Sequence, residues 1–138
     1  MSEEQAQALM QQMQALEAYM SDLLQKEDAV IKLLHEAAGA IESMKALGDT
    51  QLETLVPVGM GAFVKATIQP NEKLLVSIGA GASLEQDKNS AINYVEERIK
   101  ELEIVLQQLS GQKHEVAARL EQGQQQMNRI LQASQSKQ

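Results

Sequence analysis

Residues 55–64 read Leu-Val-Pro-Val-Gly-Met-Gly-Ala-Phe-Val, and the pattern returns twenty residues later, at 75–84, as Leu-Val-Ser-Ile-Gly-Ala-Gly-Ala-Ser-Leu. Five of the ten positions are identical. Each copy is a β-prone run, a Gly-x-Gly turn and a second β-prone run, which is typical of a β-hairpin. The repeat therefore predicts two hairpins in the middle of the chain, within residues 49–87.

Heptad repeats flank the hairpins on both sides. With a positions counted from Ala6 and from Ile92, the a and d positions are apolar at 11 of 12 sites before the hairpins and at 10 of 12 after them. Sustained a/d apolar heptads predict coiled-coil helices, here over residues 1–48 and 88–138. Their near-equal lengths favour an antiparallel pair. Two separate helices that each pair with another subunit are the alternative.

The ends of the predicted helices carry stop and start signals. Gly48 follows the last periodic residue of the first helix, as a C-terminal glycine does. Asp87 or Ser90 can cap the N-terminus of the second helix. We therefore expect an α+β fold, in which a long antiparallel coiled-coil hairpin has its two helices linked by two β-hairpins.

The hairpins are too small to form a core by themselves. Domains below about 40 residues usually need a metal, disulfides or partners, and the chain has no Cys. Two hairpins also leave sheet edges open, which natural proteins cover. We expect hairpins from several subunits to join in an intersubunit β-barrel platform, so the chain is predicted to be an obligate oligomer.

Composition excludes several classes of function. The formal net charge of −7 disfavours a nucleic-acid or anionic-membrane partner. The absence of Cys removes disulfides, thiolate metal sites and cysteine nucleophiles. The chain lacks an 18-residue apolar run, and it starts with Met-Ser-Glu-Glu rather than a basic segment. We expect a cytoplasmic protein without a membrane partner.

Motifs that suggest chemistry have simpler explanations. The two Gly-x-Gly turns have no third Gly and precede β-prone runs, so a phosphate loop is not indicated. His35 and His114 are the only histidines and lie at b positions without a His partner at i+4, which disfavours a metal site. A Ser, His and Asp constellation on a suitable frame is missing. We expect neither catalysis nor a cofactor nor a metal.

Two charged residues interrupt the seam, Glu27 and Lys113, one at an a position in each helix. If Ile41 faces Val95, residue n faces residue 136 − n, which brings the two charges within one helical turn. We expect them to approach closely and to fix the antiparallel register, at some cost in stability. The alternative is that each side chain turns outward on its aliphatic stem.

The central block resembles the α-class subunits of archaeal prefoldin. The resemblance rests on residues 53–59 (Glu-Thr-Leu-Val-Pro-Val-Gly), 63–66 (Phe-Val-Lys-Ala) and 76–81 (Val-Ser-Ile-Gly-Ala-Gly), between the two heptad arms. Because β-class subunits have a single hairpin, the repeat favours the α class. The resemblance implies a hexamer of two α-type and four β-type subunits, with a double β-barrel platform and six coiled coils.

The family resemblance also implies a function. Members are ATP-independent holdase chaperones, whose coiled-coil tips hold non-native client proteins and deliver them to a group II chaperonin. By position, client binding is expected at Leu9, Met10, Met13, Leu16, Leu120, Met127, Ile130 and Leu131. The platform is expected to use Leu55, Val56, Val58, Phe63, Val64, Leu75, Val76 and Ile78.

Three alternatives remain open. The apolar residues near the chain ends can simply complete the coiled coil, although Met10 and Leu131 lie outside the seam at e positions. A passive coiled-coil scaffold would share the helices but would not need the doubled hairpin. A filament-forming relative without client transfer is also consistent with the residues.

Overall fold

The computed structural model describes residues 3–136 of the chain. Helix α1 runs over Glu3–Ala46 and helix α2 over Lys88–Ser136. Between them lie four strands: β1 (Leu52–Gly59), β2 (Ala62–Ile68), β3 (Leu74–Gly79) and β4 (Ala82–Gln86). The order of helix, two β-hairpins and helix is the predicted one. None of the described helices is long and apolar enough to cross a membrane.

The chain divides into two compact units. The arm unit comprises the described parts of residues 1–32 and 102–138, and the hairpin unit comprises residues 33–101. The unit boundaries lie inside the helices, so they differ from the division into residues 1–48, 49–87 and 88–138. That three-part division stays a prediction, although the observed helices and strands fall within its limits.

The heptads account for the burial pattern of both helices. Every a and d position counted from Ala6 and from Ile92 is buried or half-buried, whereas nearly all other helical positions are exposed. Leu23, Val30, Leu109 and Val116 are the buried apolar d residues. This is the pattern of a narrow coiled-coil seam, and it confirms the predicted heptad register.

The antiparallel register also agrees with the sequence. Matching residue n with residue 136 − n places Met13 opposite Gly123, and Met13 is the neighbour that the structure places against Gly123. Lys113 and Glu27 form an ion pair between the helices of the arm unit. The predicted close approach of these two charges is therefore confirmed.

The two hairpins of the hairpin unit share one geometry. Strands β1 and β2 form one antiparallel two-stranded sheet, and β3 and β4 form a second. The turn residues Met60-Gly61 and Ala80-Gly81 all have positive φ, as a type I′ turn requires. Each ladder is irregular just before its turn, at Val58 and at Ile78. The sequence repeat is therefore a structural repeat, down to its bulges.

Hydrogen bonds stabilise the end of α1 and the start of α2, the two helix ends next to the β-hairpins. The Asp87 carboxylate accepts a hydrogen bond from the Ser90 backbone N–H at 2.8 Å, so Asp87, rather than Ser90, caps helix α2. The hydrogen bonds from Ser90 hold the pKa of Asp87 below its usual value, with a smaller contribution from the charge of Lys73. Lys88 Nζ donates at 2.8 Å to the Leu47 backbone carbonyl, just beyond the end of α1.

Candidate client-binding and subunit-binding surfaces

The arm unit holds the residues predicted to bind clients. Six of them lie at a or d positions and are half-buried, and these are Leu9, Met13, Leu16, Leu120, Met127 and Ile130. The other two lie at e positions and are exposed, Met10 by 51% and Leu131 by 54%. Met10 and Leu131 are therefore accessible to solvent while the helices stay paired. The six seam residues expose only part of their side-chain surface.

A groove crosses the seam of the arm unit at Gly123. Because glycine occupies a d position, residue 123 has no side chain in the seam, and the Met13 side chain packs into the space that a Cβ at position 123 would take. The groove has a volume of about 320 Å³. Its apolar floor consists of Leu9, Met13 and Leu16. We call this feature the Gly123 groove. Three of the predicted client-binding residues therefore meet in one concavity.

The rim of the Gly123 groove is polar. Three exposed carboxamides surround it, those of Gln12, Gln122 and Gln126, which we call the rim glutamines. Arg119 is the single charged side chain among the lining residues, and it makes no ion pair within residues 3–136. The groove thus combines three apolar side chains with exposed amide groups and one charged side chain.

Sequence reasoning missed the Gly123 groove. Gly123 and Lys113 are the two seam positions of the second helix that are not apolar, and the heptad pattern marks Gly123 only as an interruption. The signal was nevertheless present, because the register of 136 − n places Gly123 opposite Met13.

The hairpin unit exposes apolar side chains on both faces of its first sheet. Val56 and Val64 are cross-strand partners on one face. Leu55 and Phe63 lie on the other face, and all four side chains are exposed. A two-stranded sheet with two apolar faces is not stable by itself in water. The first hairpin therefore needs further apolar surface packed against both of its faces.

The second hairpin repeats this exposure. Leu75 is 74% exposed, Ile78 is exposed at the bulge, and Val76 is half-buried. Val58, the bulge residue of the first hairpin, is exposed as well. Seven of the eight residues predicted for the platform are thus exposed in the single chain, and Val76 is the exception.

The structure brings no set of groups together that resembles a catalytic or metal centre in the part of the chain it describes. Within residues 3–136, groups of three or more His, Cys, Asp or Glu side chains placed to hold a metal ion are absent. The Gly-x-Gly segments are hairpin turns. His114 Nδ1 lies 2.9 Å from the Ser110 backbone oxygen, one turn earlier in the same helix.

Comparison with known proteins identifies relatives over nearly the whole chain. The family model for prefoldin subunits matches residues 2–133. Prefoldin subunit alpha of Nitrosopumilus maritimus is 49% identical over 136 residues, which cover 98% of this chain and 94% of the relative. Prefoldin subunit alpha of Methanospirillum hungatei is 30% identical over 80% of this chain and 85% of the relative.

Two solved structures have a similar fold. The crystal structure of the prefoldin beta subunit from Thermococcus strain KS-1 superposes with a TM-score of 0.69, covering 92% of each chain at 20% sequence identity. The cryo-EM structure of filamentous PFD from Methanocaldococcus jannaschii matches with a TM-score of 0.53 at 30% identity, covering 88% of this chain and 96% of that one.

Proposed function

Because the chain belongs to the prefoldin subunit family, we propose that it is the α-type subunit of a cytoplasmic holdase chaperone. In this proposal it assembles with β-type subunits into an α2β4 hexamer. The assembly captures non-native proteins without ATP and passes them to a group II chaperonin. The observation that carries the proposal is the apolar surface left open on both units of a chain whose relatives are prefoldin subunits.

Subunit assembly is the role proposed for the hairpins. The exposed faces around Leu55, Phe63 and Leu75 are apolar on strands whose outer edges have no partner within residues 3–136. Burying one large apolar side chain contributes about 1.5–3 kcal/mol. The eight platform residues in several subunits therefore supply enough burial to hold an oligomer together.

Client capture is the role proposed for the terminal ends of the helices. Met10 and Leu131 are exposed, and the half-buried seam residues lie close to them in sequence. A single apolar contact that stays partly hydrated contributes less than the 1.5–3 kcal/mol of full burial. Several arms on one unfolded chain gain avidity of about 10²–10⁴-fold. Because each contact is weak, a client can leave without nucleotide hydrolysis.

Truncation tests the proposal for client capture. We expect removal of residues 1–16 and 121–138 to abolish suppression of client aggregation in an assay without ATP. Because the hairpins are unchanged, the oligomer should remain intact, as measured by light scattering coupled to gel filtration. Suppression that survives the truncation would show that the helix ends do not bind clients.

Substitution in the second hairpin tests the proposal for assembly. Leu75→Glu places a charge at the most exposed apolar position of that hairpin, and we expect it to prevent co-assembly with a β-type subunit. Gln69→Glu, in the turn between the hairpins, adds the same single negative charge outside the eight platform residues and should assemble normally. A hexamer formed by the Leu75→Glu chain would contradict the platform role.

A filamentous assembly is the second candidate. It is favoured by the similarity to the filamentous PFD structure, which covers 88% of this chain. The two candidates differ in size, because a hexamer is a closed particle and a filament grows with concentration. Electron microscopy of the chain alone, and of the chain mixed with a β-type subunit, separates them.

A further inference from the structure

The two hairpins carry opposite charges at equivalent positions. Lys65 directly follows the first copy of the repeat, and Glu85 directly follows the second. In the ladders, Lys65 is the cross-strand partner of Leu55, and Glu85 is the cross-strand partner of Leu75. Directly opposed residues lie on the same face of a sheet. Each hairpin therefore has one face on which a leucine lies beside a charge, and we call it the charged face. The sign of the charge is reversed between the two hairpins.

The charges of both faces are unpaired in the single chain. Lys65 and Glu85 are exposed, and neither forms an ion pair within residues 3–136, even though Glu53 lies on the same face as Lys65. They belong to separate two-stranded sheets, so no ladder brings them together. Charges that only kept the hairpins soluble would need no particular sign. A reversal of sign at equivalent positions is what recognition between unlike hairpins requires.

The charged faces are also complementary in shape. A depression of about 410 Å³ on the first hairpin is lined by residues 53–55 and 65–67, which include Leu55 and Lys65. On the second hairpin, Leu75 protrudes with 74% of its surface exposed. Because the ladder positions match, one register of the two faces brings Leu75 to Leu55 and Glu85 to Lys65 at the same time. Apolar burial and charge attraction therefore favour the same contact.

We propose that the first hairpin of one copy of this chain binds the second hairpin of another copy, and that Lys65 of one copy pairs with Glu85 of the other. This inference rests on the proposed role of the hairpins in assembly, and it names one partner and the residues that select it. Contact between two first hairpins would oppose two lysines, and contact between two second hairpins would oppose two glutamates. Like charges directly opposed are destabilising and suppress the wrong pairing.

The charge of the whole chain makes this local attraction necessary. Two copies that each have a formal net charge of −7 repel each other on average. Lys65 is the only basic residue in the four strands, whereas Glu53 and Glu85 are their acidic residues. An acidic group that approaches the strands therefore has a single basic side chain to meet. Glu85 of a second copy carries that acidic group beside a leucine that fits the same face.

Charge reversal followed by mixing tests the inference. The measurement is sedimentation velocity of the full chain, without other subunits, over a range of concentrations. Lys65→Glu makes both charged faces carry a glutamate, and Glu85→Lys makes both carry a lysine. Each variant alone should therefore self-associate about tenfold more weakly than the unchanged chain. An equimolar mixture of the two variants restores opposite charges at each contact and should associate about as strongly as the unchanged chain.

The matched controls are Lys100→Glu and Glu97→Lys. Both residues are exposed at b and f positions of α2, outside the strands, and the substitutions reverse the same charges. These variants should associate as the unchanged chain does. Salt at about 1 M shortens the Debye length to about 3 Å, and it should reduce the difference between the charge-reversed variants and the unchanged chain. Circular dichroism of each variant verifies that its helices are formed.

Three results would overturn the inference. One is an unchanged chain that stays monomeric, and another is self-association that neither single reversal weakens. If the same reversals prevent co-assembly with a β-type subunit, that subunit is the partner of the charged faces instead. The third is a mixture of folded variants that associates no better than either variant alone. Failure of the proposed function is distinguishable, because Leu75→Glu would then still co-assemble with a β-type subunit.

Discussion

Lys113 Nζ lies 2.9 Å from both carboxylate oxygens of Glu27, across the seam of the arm unit. Both side chains are largely shielded, with 27% and 19% of their surfaces exposed. In the register of 136 − n, Glu27 faces Leu109 rather than Lys113, so the lysine spans one helical turn with its long stem. The ion pair therefore ties together two seam positions that are not directly opposite.

Charge reversal tests what this ion pair contributes. Glu27→Lys or Lys113→Glu alone puts like charges together in the seam and should lower the free energy of unfolding by about 1–3 kcal/mol. The double exchange should recover most of the loss. Urea unfolding followed by circular dichroism measures both effects. The exposed Asp22–Lys26 pair, reversed in the same way, is the control and should change stability by less than about 0.5 kcal/mol.

The same pair is predicted to select the antiparallel register. Replacing both residues with Leu should leave the helices paired but allow pairings in other registers. Apolar residues at a positions can pack in several registers, whereas an ion pair forms in only one. Disulfide trapping of residues changed to Cys at positions 13 and 123 detects the native register. If trapping is as efficient in the double Leu variant as in the unchanged chain, the role in register is refuted.

Two helical glycines lower the stability of their helices, although neither position requires a glycine for space or for backbone conformation. Gly39 and Gly111 are exposed at f positions, and an added Cβ at either meets nothing within 4 Å. Changing each to Ala should raise the free energy of unfolding by roughly 0.5–1 kcal/mol. Thermal unfolding measures the gain. Gly59→Ala is the contrasting variant and should destabilise, because Gly59 has φ +119°.

The hairpin turns carry two residues in a strained backbone conformation. Met60 has φ 51° and Ala80 has φ 52°, a region where residues other than Gly, Asn and Asp are disfavoured. Ala80→Asn creates the Asn-Gly pair that type I′ turns prefer, and we expect about 0.5–1 kcal/mol of added stability. Hydrogen exchange of the β3–β4 amides reports it. Slower exchange in β1–β2 alone would contradict the assignment.

Asp87 gives the second helix a pH-dependent cap. Because its folded-state pKa is lowered, the cap stabilises the fold above the unfolded-state pKa of about 3.9 and loses this effect as pH falls through the lower folded-state value. Asp87→Asn keeps an N-cap side chain that does not titrate. The measurement is the melting temperature of the unchanged chain minus that of Asp87→Asn. This difference should decrease as the pH is lowered from about 5 to about 2. A difference that is constant with pH would show that the carboxylate charge has no part in capping.

The sequence was sufficient to predict the secondary structure and the seam. Heptads from Ala6 and Ile92 are local patterns, and each seam position that they define is buried or half-buried. The Gly-x-Gly repeat likewise predicts both turns, because glycine adopts positive φ more readily than any other residue. Met60 and Ala80 at positive φ were not predicted, since neither residue type favours that conformation.

The binding surfaces were less accessible to prediction. The Gly123 groove depends on how the Met13 side chain fills a gap in the facing helix, which periodicity does not describe. The proposed platform needs partner chains, and no local pattern of this chain describes how Leu75 or Phe63 would be covered. The small size of the hairpins indicated that a partner is needed, and the family resemblance named the contact residues. The folded chain adds that those of the first hairpin lie on both faces of its sheet.

The separation of the two hairpins into independent sheets has a consequence for growth of the assembly. A two-stranded sheet has no interior strand, so each hairpin has two strand edges without a partner. Residues 3–136 therefore contain four such edges, two in each hairpin. A subunit with one hairpin can pair its strands with neighbours through that hairpin alone. A subunit with two hairpins can pair with different neighbours through each of them. If the hairpins join subunits as proposed, the duplicated segment gives this chain four strand edges for pairing, and losing one copy would leave two.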